Sequence, residues 1–487
     1  MEQSYISRTS GITMKDKIGY AFGDLASCLM FGLSQSLLNK FSTDILGISV
    51  LSFMIITIVA RLWDAVNDPI WGRIIYNAPA RADGRYRRWI KIFAVPVAIA
   101  TILMFLNVSA FPMAAKIAWV AFTYVAFGML YTCINIPYGS MAHVITSDDR
   151  ERSALSVFRS IGSVIGGLPA MLLASFCYVK VMENGQPVLN EFGEPEKQMD
   201  PMRILIFVCV IAALAVLCFF LCYRWSKERV ESKPVPREKG AARKVVKTLL
   251  KSRPFMTVSI ASMLFLAAQM FQTGYNTYLF DYYFEAHKMY ILAAVCQYLP
   301  VAFVMFFASK LGNKLGRRNV CSYGILFASA AYFLLFVLSL LDIGTKNVWL
   351  YLAANLLGGI GTAFIFLLNW ALVADAIDFN RARKGVNDEA TSYAFFTFVR
   401  KLGQTVATVL INVPLLLIGY EGSKLKTELL RADPAKLQTM YNYSVLIPAV
   451  LFLLVFFILR FAYPLSKKRV EALQVEKEKI LREDSAA

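Results

Sequence analysis

Three stretches, Ile204–Cys222, Met289–Ala308 and Tyr323–Leu341, run without one charged residue. A run of about 18 or more apolar residues is long enough to cross a hydrocarbon core of about 30 Å as a helix, and a soluble core helix rarely needs that length. Composition agrees. The chain is 57% hydrophobic and 17% charged, against roughly 45–50% and 25% in a soluble domain. The sequence therefore specifies an integral membrane protein.

Apolar runs of bilayer length number roughly twelve. Their limits are approximately 18–46, 50–77, 89–109, 113–145, 153–178, 202–225, 254–284, 288–312, 319–341, 347–378, 389–419 and 440–463. The segment Met1–Lys17 is polar and carries no signal-peptide pattern. The net charge of +18 falls in loops, where lysine and arginine mark the cytoplasmic side, so it does not indicate nucleic-acid binding. Arg81, Arg85, Arg87, Arg88 and Lys91 follow the second span, and nine basic residues between Lys227 and Lys251 follow the sixth. Lys314, Arg317 and Arg318 follow the eighth, and Lys467, Lys468 and Arg469 the last. The loop 179–201 is acidic instead, with Glu183, Glu191, Glu194, Glu196 and Asp200. Basic even-side loops and an even span count place both termini in the cytoplasm of a cell-membrane protein. The eight cysteines are scattered and read as small buried hydrophobes. Two distant histidines, His143 and His287, give a metal site or a histidine catalyst little to work with.

The basic stretch 226–252 separates two six-span portions, 1–225 and 253–466, leaving a tail at 467–487. Each portion has a glycine-and-arginine loop between its second and third spans: Asp83-Gly84-Arg85-Tyr86-Arg87-Arg88, then Gly312 through Arg317-Arg318. Matching loops in matching places suggest duplication. The pattern resembles the major facilitator superfamily: an all-α membrane protein of twelve helices in two pseudo-symmetric halves.

The chemistry concentrates in Arg61-Leu-Trp63-Asp64-Ala-Val-Asn67-Asp68-Pro69-Ile-Trp71-Gly72. Four-residue spacing puts Asp64 and Asp68 on one helix face. Asp64 lies roughly fourteen residues into its span, hence deep in the bilayer. An ionised group there costs at least about 2.5–3.5 kcal/mol unless it has a partner or a watery cavity. Two carboxylates on one face repel unless a cation or proton joins them. Asn67 adds an amide oxygen, and hard cations favour oxygen ligands. The structural alternative is that both carboxylates pair with Arg61 and another basic residue, merely locking the bundle. Arg61 itself reads as a structural or gating partner.

This segment resembles the second-helix signature of the glycoside–pentoside–hexuronide:cation symporters. Other segments agree in order: Tyr20 through Asp24 and Thr43 through Gly47 in the first span, Tyr131 through Tyr138 in the fourth, and Arg150-Glu151-Arg152 after it. Ala374 through Phe379 match the tenth and Lys401-Leu402-Gly403 the eleventh. The resemblance covers most of the chain. It implies a cation site (a metal site if the ion is Na⁺) of Asp64, Asn67, Asp68 and Thr132, with Lys401 as charge partner. It implies a sugar site of Tyr20, Cys28, Tyr131, Asn135, Arg159, Thr397 and Lys401, between the halves near the midplane. A threonine bonded to its own helix, a snorkelling lysine, belt tyrosines and an interhelical asparagine are the structural readings of the same residues.

Departures from the family pattern bear on the substrate. Cys28 and Asn135 stand where carboxylates grip a galactoside, Ser27 where a lysine precedes the first, and Gly139 where a tryptophan stacks. A cavity stripped of acids but keeping Arg159, Lys401 and Arg400 argues for a sugar acid or glucuronide, because arginine pairs well with carboxylate. An acidic residue expected near Asn380-Arg381 is also missing. The implied function is symport of a sugar, glycoside or sugar acid with Na⁺ or H⁺ by alternating access, as a monomer, without another cofactor. An amphiphile carrier would need a laterally open apolar cavity. A membrane enzyme would need a nucleophile with its base, or a metal cluster, and the sequence holds no such set. A non-transporting sensor would have no use for intact Asp64, Asn67, Asp68 and Lys401.

Overall fold

The computed structural model describes residues 12–77, 83–146, 149–174, 177–180, 182–183, 186–187, 197–229, 241–384, 389–420, 430 and 432–472. Arg81, the linker stretch 230–240, Glu191, Glu194 and Glu196 lie outside the described residues.

Each predicted span is met by a helix. The first portion contributes α1 (Met14–Ser36), α2 (Val50–Asn77), α3 (Arg87–Met104), α4 (Met113–Ile145), α5 (Asp149–Ala174) and α6 (Pro201–Trp225). The second contributes α7 (Arg253–Tyr278), α8 (Tyr290–Leu315), α9 (Arg317–Leu340), α10 (Val348–Lys384), α11 (Glu389–Leu417) and α12 (Pro434–Phe457). Nine described helices are long and apolar enough to cross a membrane, or ten when Met14–Ser36 and Leu38–Ile45 count as one span across a 42° bend. α3 is short and opens on Arg87, Arg88 and Lys91, and α5 is diluted by Arg159, serine and glycine.

Several predicted limits are corrected: the tenth helix runs on past 378 to Lys384, and the twelfth begins at Pro434, ahead of the predicted 440. The third helix stops at Met104, and the following turn is held by Asn107, whose side chain accepts from Ser109 N at 3.1 Å. The fifth stops at Ala174, where the sequence reading carried it to 178. Tyr178–Lys180 instead forms a strand, β1. Met182–Glu183 (β2) pairs antiparallel with Gln186–Pro187 (β3), and Lys197–Met199 (β4) pairs antiparallel with β1. Tyr and Val favour a pleated, half-buried ribbon over a helix end. Asp200 then caps α6 by accepting from Met202 N at 2.9 Å, ahead of Pro201. Asp433 caps α12 the same way ahead of Pro434, so the last span of each portion starts with one device.

The two glycine loops also share a solution. Gly84 and Gly316 take φ of +93° and +88°, which only glycine adopts cheaply. Each loop is gripped by the chain just beyond the last helix of its portion. Glu228 accepts from the backbone N–H groups of Arg85, Tyr86 and Arg87 at 2.7–2.8 Å, supplying an anion at the start of α3. Lys467 donates to Lys314 O at 3.2 Å.

Contacts divide the chain into two compact units: Met1–Ser34 with Leu62–Val235, and Gln35–Arg61 with Pro236–Ala487. Within the second unit, the short helix Leu38–Lys40 and α7 each run on into a five-residue π-helical turn, Phe41–Ile45 and Leu279–Tyr283. Each turn holds one aspartate, and each aspartate is bound from the other side. Lys40 pairs with Asp281, with His287 Nδ1 2.5 Å from the same carboxyl group. Tyr282 donates to Asp44 at 2.8 Å, and Tyr420 donates to it as well. Lys40 is 1% exposed. Its ammonium also lies over the Tyr282 ring, 4.8 Å from the centroid.

Candidate functional site

α2 has a lipid side and a polar side. Leu51, Ile55, Val59, Leu62, Val66, Ile70 and Ile74 recur at helical spacing and expose 44–57% of their surface. That stripe suits contact with acyl chains. At 100° per residue, Asp64 and Asp68 fall about 160° from Val66 on either side, away from the stripe. Asn67 is buried on the flank of that face, about 60° round from Asp64.

The polar side meets α4 in two rungs. Thr132 Oγ1 donates to Asp68 Oδ1 at 3.0 Å. One turn earlier on each helix, Gly128 lies flush against Asp64: a Cβ there would stand 2.6 Å from Asp64 Oδ1. Spacing of four on both helices puts the two rungs in register. The absent side chain at Gly128 makes room for the first carboxylate, and the hydroxyl at 132 orients the second. Carboxylate and hydroxyl oxygens assemble here in a half-buried setting, a donor set that suits a hard monovalent cation or a proton. Thr132 reaches across to the neighbouring helix at Asp68. Arg61 is engaged elsewhere, donating from Nη1 to Gln404 on α11 within the second unit.

A second ladder joins α1 to α5. A Cβ on Gly162 would sit 2.2 Å from Ala21 O, and one on Gly166 2.4 Å from Leu25 O. Small residues four apart permit this backbone approach. It aligns Asp24 with Arg159, Oδ1 to Nε at 3.3 Å, and Cys28 with Ser163, Sγ to Oγ at 3.2 Å. The Arg159 guanidinium lies over the Tyr138 ring at 5.4 Å, and Tyr138 stacks on Tyr20 at 4.7 Å while donating to Tyr20 O at 2.7 Å. Tyr131 stacks with Phe31 at 5.7 Å. Tyr20, Cys28, Tyr131 and Arg159 thus belong to one neighbourhood of the first unit. Asn135, on α4, is half-buried one helical turn beyond Tyr131.

In the second unit, Thr397, Arg400 and Lys401 are half-buried on α11. Arg400 lies over the Trp370 ring at 5.1 Å. Asn380, where an acid was expected, is buried and accepts from Ser252 Oγ at 2.5 Å; an uncompensated carboxylate would be costly there.

The sequence reading missed four participants. In the sequence Asp24 closes the first-span motif that begins at Tyr20, with nothing local to give it a role. It lies one turn before Cys28 and puts a negative charge beside Arg159, so this part of the site is less basic than Cys28 and Asn135 suggest. Gly128 and the Gly162/Gly166 pair were legible as small residues at helical spacing in apolar spans.

The fold is that of a major facilitator transporter. A solved D-xylose–proton symporter matches with a TM-score of 0.61 at 12% identity, over 94% of this chain and 99% of that one. The chain belongs to the MFS/sugar transport protein family, whose model matches residues 19–467. It is 30% identical over 466 residues to an uncharacterized symporter, YjmB, of Bacillus subtilis (strain 168), covering 94% of each chain. It is 24% identical over 461 residues to a glucuronide carrier protein homolog of Escherichia coli (strain K12), again over 94% of each. This is a multi-pass membrane protein of a sugar-transport family.

Proposed function

We propose that this chain is a symporter that moves a sugar, glycoside or sugar acid together with Na⁺ or H⁺ by alternating access. It acts as a monomer in a cell membrane with both termini in the cytoplasm. The observation that carries the coupling is the α2–α4 pair of rungs, Asp64 against Gly128 and Asp68 against Thr132, turned away from the lipid stripe. Two carboxylates one turn apart hold a strong bias toward a visiting cation, because each is stabilised by positive charge and disfavours the other's ionisation. Asn67 and Thr132 complete the oxygen set in the first unit.

In the first unit Tyr20, Cys28, Tyr131, Asn135 and Arg159 offer a sugar hydroxyl partners and aromatic faces. The names borne by relatives support this substrate class, one a symporter and one a glucuronide carrier homolog. Cation binding and sugar binding strengthen each other by the same factor, since coupling is reciprocal. Counterflow of labelled sugar in proteoliposomes, with and without Na⁺ and across pH, tests this. Uptake that responds to one of the two ions is expected. Uptake indifferent to both removes the coupling.

A further inference from the structure

Arginine is always charged, and its planar fork pairs readily with carboxylates. A half-buried Arg159 by itself would draw an acidic sugar and gain little from a neutral one. Asp24 changes that balance. It is 8% exposed and takes the Nε edge of Arg159 at 3.3 Å. The close α1–α5 approach at Gly162 and Gly166 leaves this short carboxylate little freedom to move away. Tyr138, stacked on Tyr20, holds the guanidinium plane from one face. The pair is therefore fixed and neutral overall.

We propose that Asp24 sets the charge preference of the sugar site at Arg159; this rests on the sugar-transport reading above. A substrate carboxylate arriving at the terminal nitrogens of the guanidinium comes within roughly 6 Å of the Asp24 carboxylate. At an effective dielectric of about 20 their repulsion is worth more than tenfold in affinity. A neutral sugar feels no such penalty, and its hydroxyls donate to Asp24 as readily as they accept from Arg159. Replacing Asp24 by asparagine keeps the shape and an acceptor oxygen. It weakens the hold on Arg159, since a charge-assisted bond is about twice as strong as a neutral one. That loss falls on acidic and neutral sugars alike and cancels in their ratio, whereas the repulsion acts on the acid alone.

The test uses the full chain in proteoliposomes with matched probes: glucose and glucuronate, galactose and galacturonate, and a phenyl glucoside with a phenyl glucuronide. Counterflow KM is measured for each in wild type, Asp24→Asn, Asp24→Ser and Asp24→Glu. Asp24→Asn and Asp24→Ser are expected to raise the preference for acid over neutral sugar at least tenfold, about 1.4 kcal/mol. Asp24→Glu keeps the charge and is expected to hold the ratio within about threefold. A ratio unmoved or lowered in whichever neutral variant folds, with wild-type uptake present, overturns the role of Asp24 alone. A wild type that takes up none of the four sugars, and neither the phenyl glucoside nor the phenyl glucuronide, overturns the sugar reading itself, and the role of Asp24 with it.

Discussion

Lys40 and Asp281 form a buried ion pair across 241 positions of sequence, at the far ends of the helices that open the two portions. Tyr282 returns the contact by donating to Asp44 in the opposite turn. The clasp is reciprocal, and its charges are out of water. Removing one partner of such a pair strands the other charge, at a cost of about 3–5 kcal/mol, while removing both is close to neutral. Lys40→Met and Asp281→Leu are each expected to lower the unfolding temperature of the purified protein in detergent. The double variant is expected to recover at least half the loss. Additive losses would show that the two charges do not depend on each other.

The α2–α4 rungs make a separable prediction. Gly128→Ala pushes a methyl group into Asp64 Oδ1, and Thr132→Val removes the donor to Asp68. Both are expected to weaken apparent cation affinity about tenfold, the loss of roughly one charge-assisted hydrogen bond. Sugar exchange at saturating cation should stay within about twofold. Titrating counterflow with the coupling ion measures both quantities. Unchanged cation affinity in both variants would remove these two residues from the site.

Glu228 stands behind three backbone N–H groups at the start of α3. Unsatisfied buried donors cost about 1–3 kcal/mol. Glu228→Ala is expected to destabilise by that order, with Glu228→Gln intermediate. Gly84→Ala drives a methyl group into the same carboxylate, 2.6 Å from Oε1, at a φ of +93°. Because both substitutions break one contact, their combined loss of thermal stability should fall short of the sum.

How far the sequence reaches is visible in particular residues. The limits 50–77 and 113–145 match α2 and α4 because each apolar run is bounded by turn-forming residues. The fifth span ran too far because Phe176 through Val179 are as apolar as a helix end, and a ribbon partner some twenty residues away decides between strand and helix. The Asp64–Asp68 face was legible because four-residue spacing fixes direction on any helix. Asp24 was not, because its meaning depends on how closely α5 approaches, which Gly162 and Gly166 control. Glu228 was submerged in a run of lysines and arginines. Nothing local in the sequence links Asp44 to Tyr420 across 376 positions.

The proposed symport stands on Asp68 as the group that binds the coupling ion. Its most direct test compares Asp68→Cys with wild type in right-side-out vesicles, measuring labelled-sugar accumulation against a gradient and counterflow without one. Wild type is expected to concentrate sugar when the ion gradient is imposed, and Asp68→Cys to equilibrate sugar without concentrating it. Full accumulation by Asp68→Cys would contradict that role.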